Sequence, residues 1–185
     1  MTLSAIPLAD SQIYYGEVGR GSWEGTFTFR LTSWPSFRRA RLGIKNRFLI
    51  LSMATVQRLF GGSRMTSTIW LEEKRGSLGL VHNAIRLTKW HIPIYVVAET
   101  YTLDLDGHSV VVDARERFGP LPFLFRVTKQ YPATIHPSGT SSTYLIPLLG
   151  ADWIATYRVR EDRRHLEGRI VCDFAEATET IRKLA

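Results

Sequence analysis

The feature that most constrains this chain is a period of two that opens at Trp23 and, after one interruption, persists to Phe174. Trp23, Gly25, Phe27, Phe29 and Leu31 alternate with Glu24, Thr26, Thr28, Arg30 and Thr32, the pattern of a strand with one buried and one wetted face. The same period recurs near residues 65–73, 78–88, 92–105, 109–118, 122–131, 141–147, 153–160 and 165–174. Between these runs lie turn formers: Lys74 to Ser77 around Gly76, the pair Asp106 and Gly107, and the corner of Gly119, Pro120 and Pro122. Hairpin connections make neighbouring strands antiparallel. An open sheet of that many strands would expose unpaired edges, and closure removes them. The expectation is a mainly β chain forming a single antiparallel up-and-down β-barrel of about eight to ten strands. No composition shift or linker divides residues 1–185, so one domain is expected.

The interruption is helical. Ser36 is placed to cap a helix over residues 37–60, and Gly61 with Gly62 stops it. Its first half is basic and its second half, FLILSMATVQRLF, is apolar on nearly every side. One kinked helix or two short ones fit, with Gly43 as the break. This insertion follows the first strand. At the other end of the chain, Glu176, Glu179, Ile181 and Leu184 suggest a short C-terminal helix over residues 175–185.

Charge and cysteine content narrow the partners. Lys and Arg number 24 against 17 Asp and Glu, and the excess falls between Phe37 and Arg64, where seven cations meet no acid. With Phe48, Leu49, Leu51, Met53, Val56 and Phe60 on the opposite side, residues 37–60 suit peripheral contact with an anionic membrane. Nucleic acid is disfavoured, because the segment lacks interleaved exposed aromatics and the remaining body is neutral. The single cysteine, Cys172, allows no internal disulfide, and no leader-like or membrane-spanning run occurs. A cytoplasmic location is the expectation.

No sequence motif names a reaction. His82, His91, His108, His136 and His165 never fall at ligand spacing, so no metal site is expected. Neither a nucleophile elbow nor a phosphate loop occurs, and Gly16, Gly19 and Gly21 precede a strand, not a helix N-terminus. No cofactor is expected either. What remains is polarity that interrupts apolar strand faces. Glu116 shares a face with Val110, Val112, Ala114 and Phe118, and Glu99 with Tyr101 shares one with Tyr95, Val97 and Leu103. A buried carboxyl must reach water, pair with a cation such as Arg86, Arg115 or Arg126, or meet something polar in a cavity. In an apolar cavity its pKa rises and it becomes a general acid or base, with Tyr101, Tyr144 or Tyr157 as donor. Candidate catalytic residues are therefore Glu99, Tyr101 and Glu116. Candidate ligand-binding residues are Trp70, His82, Tyr95, Phe125, Tyr144, Trp153 and Tyr157, since an apolar cavity with a few fixed polar groups is lined by such types.

Gly21, Ser22 and Trp23 at the head of the first long strand resemble the Gly-x-Trp opening of the lipocalins and their calycin relatives. The helical insertion after that strand resembles the lid of the fatty-acid-binding proteins. The resemblance implies that Trp23 plugs the closed end of the barrel and that a basic residue of the last strand, Arg158 or Arg169, packs on it. It also implies a small hydrophobic ligand, a lipid, isoprenoid or polyketide-like molecule, in the central cavity. Helix-grip domains share the order of elements, but their last helix is long. On either scaffold the alternative is a cofactor-independent cyclase or isomerase acting on a hydrophobic substrate by carboxylate and tyrosine acid–base chemistry.

Overall fold

A computed structural model describes residues 20–72, 80–103, 109–119, 126–135 and 141–184. Ten antiparallel strands close into one barrel: β1 (Gly21–Leu31), β2 (Ser63–Glu72), β3 (Leu80–Lys89), β4 (Ile92–Leu103), β5 (Ser109–Phe118), β6 (Arg126–Ile135), β7 (Ser141–Leu148), β8 (Ala151–Val159), β9 (His165–Val171) and β10 (Ala175–Lys183). Each strand pairs with its sequence neighbours, and β10 returns to pair with β1. The barrel, its antiparallel order and the helical insertion are thus as the hydrophobic period implies. The turns at 74–77 and 106–107 lie outside the described residues.

The C-terminal helix is a correction. Residues 175–183 form β10, hydrogen-bonded to β1 on one side and β9 on the other. Ala175, Ala177, Glu179 and Ile181 are buried while Thr178, Thr180 and Arg182 face out, a period of two carried by β-branched threonines. Without this strand β1 and β9 would be open edges, so pairing on both sides overrides the helical spacing.

The insertion consists of α1 (Trp34–Arg39) and α2 (Ile44–Phe60). Gly43, the expected break, is the N-cap residue of α2, whereas α1 is capped by Ser33 in place of Ser36: the Ser33 side chain accepts from the Ser36 amide. Arg47 ties the junction, its guanidinium donating to the carbonyls of Phe37, Arg38, Ala40 and Leu42. Gln57 latches α2 to the barrel: its Oε1 accepts from the Phe29 amide at 3.1 Å and its Nε2 donates to Ser63 Oγ at 3.1 Å. These contacts satisfy groups that a helix packed on a strand rim would otherwise bury unpaired.

Trp23 is 1% exposed and lies at the end of the barrel away from the helices, where the Lys183 ammonium stands 5.7 Å from its ring. Arg158 and Arg169, the expected partners, belong to β8 and β9. The last strand is β10, so the cation comes from there. One seam in the wall is short. Among the described residues β6 and β7 share three pairs, Ala133 to Tyr144, Thr134 to Thr143 and Ile135 to Ser142. Continued toward the helices, that register would enlist Pro132 and Pro147, neither of which has an N–H to give.

Candidate functional site

The interior holds two chambers that meet at a polar waist. One, of about 70 Å³, sits over Trp23 and is lined by Ser67, Asn83, Tyr101, Tyr144 and Ile181 among others. The second, of about 80 Å³, sits under the helices between Phe29, Met53, Tyr95, Phe118 and Trp153. Glu99, Tyr131, Tyr157 and Glu179 line both, together with Ile85 and Ile146. Together the chambers match the roughly 150 Å³ that admits a benzene-sized guest.

Strand register builds the waist. Asn83, Glu99, Ala114 and Lys129 lie side by side across β3, β4, β5 and β6. Glu99 is buried and accepts from Asn83 Nδ2 at 3.1 Å, Tyr101 Oη at 2.5 Å and Tyr131 Oη at 2.6 Å. Burial raises its pKa above the ordinary carboxylate value, the three donors hold it down, and Glu116 adds to the rise. Glu116, 3% exposed, takes the Lys129 ammonium at 2.6 Å and the Tyr95 hydroxyl at 2.9 Å on the same oxygen. Lys129 also donates to the Pro147 carbonyl at 2.9 Å, bridging the short seam between β6 and β7. Burial lowers the Lys129 pKa and Glu116 opposes that fall.

A second row crosses the other wall: Tyr157, Gly168 and Glu179 are opposite one another on β8, β9 and β10. A Cβ at Gly168 would fall 2.6 Å from the Tyr157 ring and 3.2 Å from the Glu179 Cβ. Glycine leaves the slot through which Tyr157 reaches over β9 to donate to Glu179. Glu179 is 6% exposed, and its Oε2 has no hydrogen-bond partner. Burial, then the neighbouring Glu99 charge, push its pKa up to about 8, against the Tyr157 hydrogen bond that lowers it. The hydroxyls of Tyr95, Tyr131 and Tyr157 are raised by burial and by these carboxylates, so they act as donors.

Of the candidates read from the sequence, the structure brings Glu99, Tyr101, Glu116, Tyr95, Tyr144, Trp153 and Tyr157 to the interior. Neither carboxyl meets an expected arginine: Arg86 and Arg115 are exposed, and the Arg126 side chain lies outside the described residues. Trp70 and His82 are on the outer face, stacked on each other at 5.2 Å, with His82 Nδ1 3.1 Å from Thr100 Oγ1. They occupy the outward phase of β2 and β3, where Ser67, Ile69, Asn83 and Ile85 point in, so a one-residue phase error placed them inside. Phe125 lies outside the described residues. Asn83, Lys129, Tyr131 and Glu179 complete the site and were not anticipated. Alternation of Ala177, Glu179 and Ile181 was the signal that could have found Glu179.

Among the described residues no group of His, Cys, Asp and Glu could hold a metal ion, and no helix is long and apolar enough to cross a membrane. No protein-family model matches the chain, and no curated protein does. Among solved structures it is similar to secretory abundant heat soluble protein 4 from Ramazzottius varieornatus, at 15% identity over 92% of this chain and 97% of that one, with a TM-score of 0.39. At that identity and score the likeness says nothing about function. The chain is a closed ten-stranded antiparallel barrel with a helical insertion after its first strand.

Proposed function

We propose that this protein holds a small, largely apolar molecule inside its barrel. The observation that carries the reading is the pair of chambers meeting at Glu99, Tyr131, Tyr157 and Glu179, apolar walls with a few convergent polar groups. Their volume favours a compact guest over a long acyl chain. Native mass spectrometry of the purified protein, beside a denaturing spectrum and solvent extraction, is expected to show a co-purifying small molecule. A bare mass, together with no uptake of the neutral probe N-phenyl-1-naphthylamine, would contradict it.

The helical end supports a role for an anionic membrane in loading. Ile44, Phe48 and Leu59 are exposed along the outer face of α2 at 87%, 68% and 67%, and Arg38, Arg39, Arg41, Lys45 and Arg58 are exposed beside them with no acid in the segment. Phe60 packs edge-on against Trp90 at 4.7 Å. Trp90 and His91 form the β3–β4 turn with positive φ of 50° and 65°, positions that favour Asn and Gly and tax bulky residues. An aromatic kept there at the rim is suited to the bilayer interface. In flotation assays the protein is expected to bind phosphatidylglycerol vesicles and not pure phosphatidylcholine vesicles. A double variant Phe48→Ser/Trp90→Ser should lower that binding at least about tenfold, two large apolar groups being worth over 1.4 kcal/mol. Equal binding of variant and parent would remove the membrane from the account.

An acid–base isomerase or cyclase is the second reading. It is favoured by Glu179, whose pKa of about 8 beside an apolar chamber suits proton transfer near neutrality.

A further inference from the structure

The chambers have an unbalanced charge inventory. Glu99 and Glu179 line both, Glu116 lines the one under the helices, and no Lys, Arg or His lines either among the described residues. Glu116 is already matched by Lys129, and Glu99 by three neutral donors. Among the described residues Glu179 alone keeps a buried side-chain oxygen with no partner, and such an atom costs stability unless something completes it. A guest carrying a carboxylate would meet two glutamates at the waist and no cation. A neutral hydroxyl could serve one oxygen, and an ammonium group, with three N–H donors, could serve the orphan oxygen and balance the charge.

We propose, resting on the ligand-holding reading above, that the guest's polar end is a primary ammonium group received by Oε2 of Glu179 at the waist, with a short apolar tail using the volume of the two chambers. The groups facing Glu179 are consistent with this. Glu99 and Tyr95 approach from β4 and Tyr157 from β8. Among the inward residues of its neighbouring strands, β1 offers Trp23, Gly25 and Phe27, and β9 offers Leu166, Gly168 and Ile170, none of them titratable near neutrality. Binding an ammonium requires Glu179 to be ionised, while the empty barrel holds it mostly protonated below pH 8. Association therefore releases a proton and tightens as pH rises.

Isothermal titration of the full chain with hexylammonium, hexan-1-ol and hexanoate tests this, all three having the same tail. Hexylammonium is expected to bind at least tenfold more tightly than hexan-1-ol at pH 8, with hexanoate weakest. Its affinity is expected to rise about tenfold from pH 6 to pH 7, as the competent fraction does. Glu179→Gln, which keeps the shape and removes a costly buried carboxyl, should abolish the ammonium preference over hexan-1-ol and the pH dependence of hexylammonium binding. Folding of the variant is checked by near-ultraviolet circular dichroism, and an unchanged preference in a folded Glu179→Gln would overturn the inference. Binding of hexan-1-ol or hexanoate as tight as hexylammonium would also overturn it and leave the ligand-holding reading standing. Failure of all three at millimolar concentration would overturn both.

Discussion

Replacing Lys129 by methionine is expected to lower the unfolding free energy by about 3–5 kcal/mol near neutral pH, the cost of leaving one member of a buried ion pair without the other. The Lys129 ammonium stands 5.7 Å from the Tyr131 ring, and methionine keeps most of the side chain's volume. What is lost is the charge 2.6 Å from Glu116 and the donor to the Pro147 carbonyl at the short β6–β7 seam. Glu116 is then left with the Tyr95 hydroxyl alone to face its charge. The double variant Glu116→Gln/Lys129→Met removes both charges and should recover most of the loss, because matched removal of a buried pair is often close to neutral. Urea denaturation of the four proteins of this cycle gives the coupling directly. A Lys129→Met protein within about 1 kcal/mol of the parent, the range of an exposed pair, would mean that Glu116 reaches water.

The second large effect is on pH dependence, and its direction is opposite to that of most carboxylates in folded proteins. Glu179 titrates at about 8 in the barrel against 4.5 for an ordinary glutamate. Between those values the folded chain binds more protons than the unfolded one, so stability falls as pH rises. The contribution is fully present below pH 4.5 and is lost as pH passes through about 8, at up to about 1.4 kcal/mol per pH unit. Glu99, also raised by burial, adds to the fall, whereas Lys129, lowered by burial from 10.5, acts in the other direction at the alkaline end. Over the full window the Glu179 share is on the order of 4–5 kcal/mol. Urea midpoints measured from pH 5 to pH 9 are expected to decline for the parent and to decline much less for Glu179→Gln. Parallel curves for the two proteins would show that Glu179 titrates as if in water.

Much of this arrangement is legible in the sequence, because a barrel imposes a strict period. Phe27 and Phe29, Val112 and Ala114, and Glu99 with Tyr101 reveal their inward face by alternation alone, and burying that face requires closure. Two kinds of information are not local. Phase is lost where a strand contains polar residues on both faces: β2 and β3 carry Ser67 and Asn83 inward and Trp70 and His82 outward, so hydrophobicity alone picks the wrong side. Strand identity at the C-terminus is decided by two pairing partners, β9 across a tight turn and β1 from the far end of the chain, and that tertiary demand overrides the helical spacing of Glu176, Glu179 and Ile181. Missing β10 hid both Lys183 against Trp23 and the unpartnered Glu179. The Tyr157–Gly168–Glu179 row needs three registers at once, which no single segment encodes.

The central claim is that the barrel buries a carboxyl with nothing to complete it until a guest arrives. The most direct measurement follows the side-chain carboxyl carbon shifts of the glutamates by NMR from pH 4 to pH 10, with Glu179 assigned through Glu179→Gln. The account predicts a Glu179 midpoint near 8, moving down by at least one unit when hexylammonium is added at saturating concentration. A midpoint near the ordinary 4.5, unmoved by the amine, would contradict it.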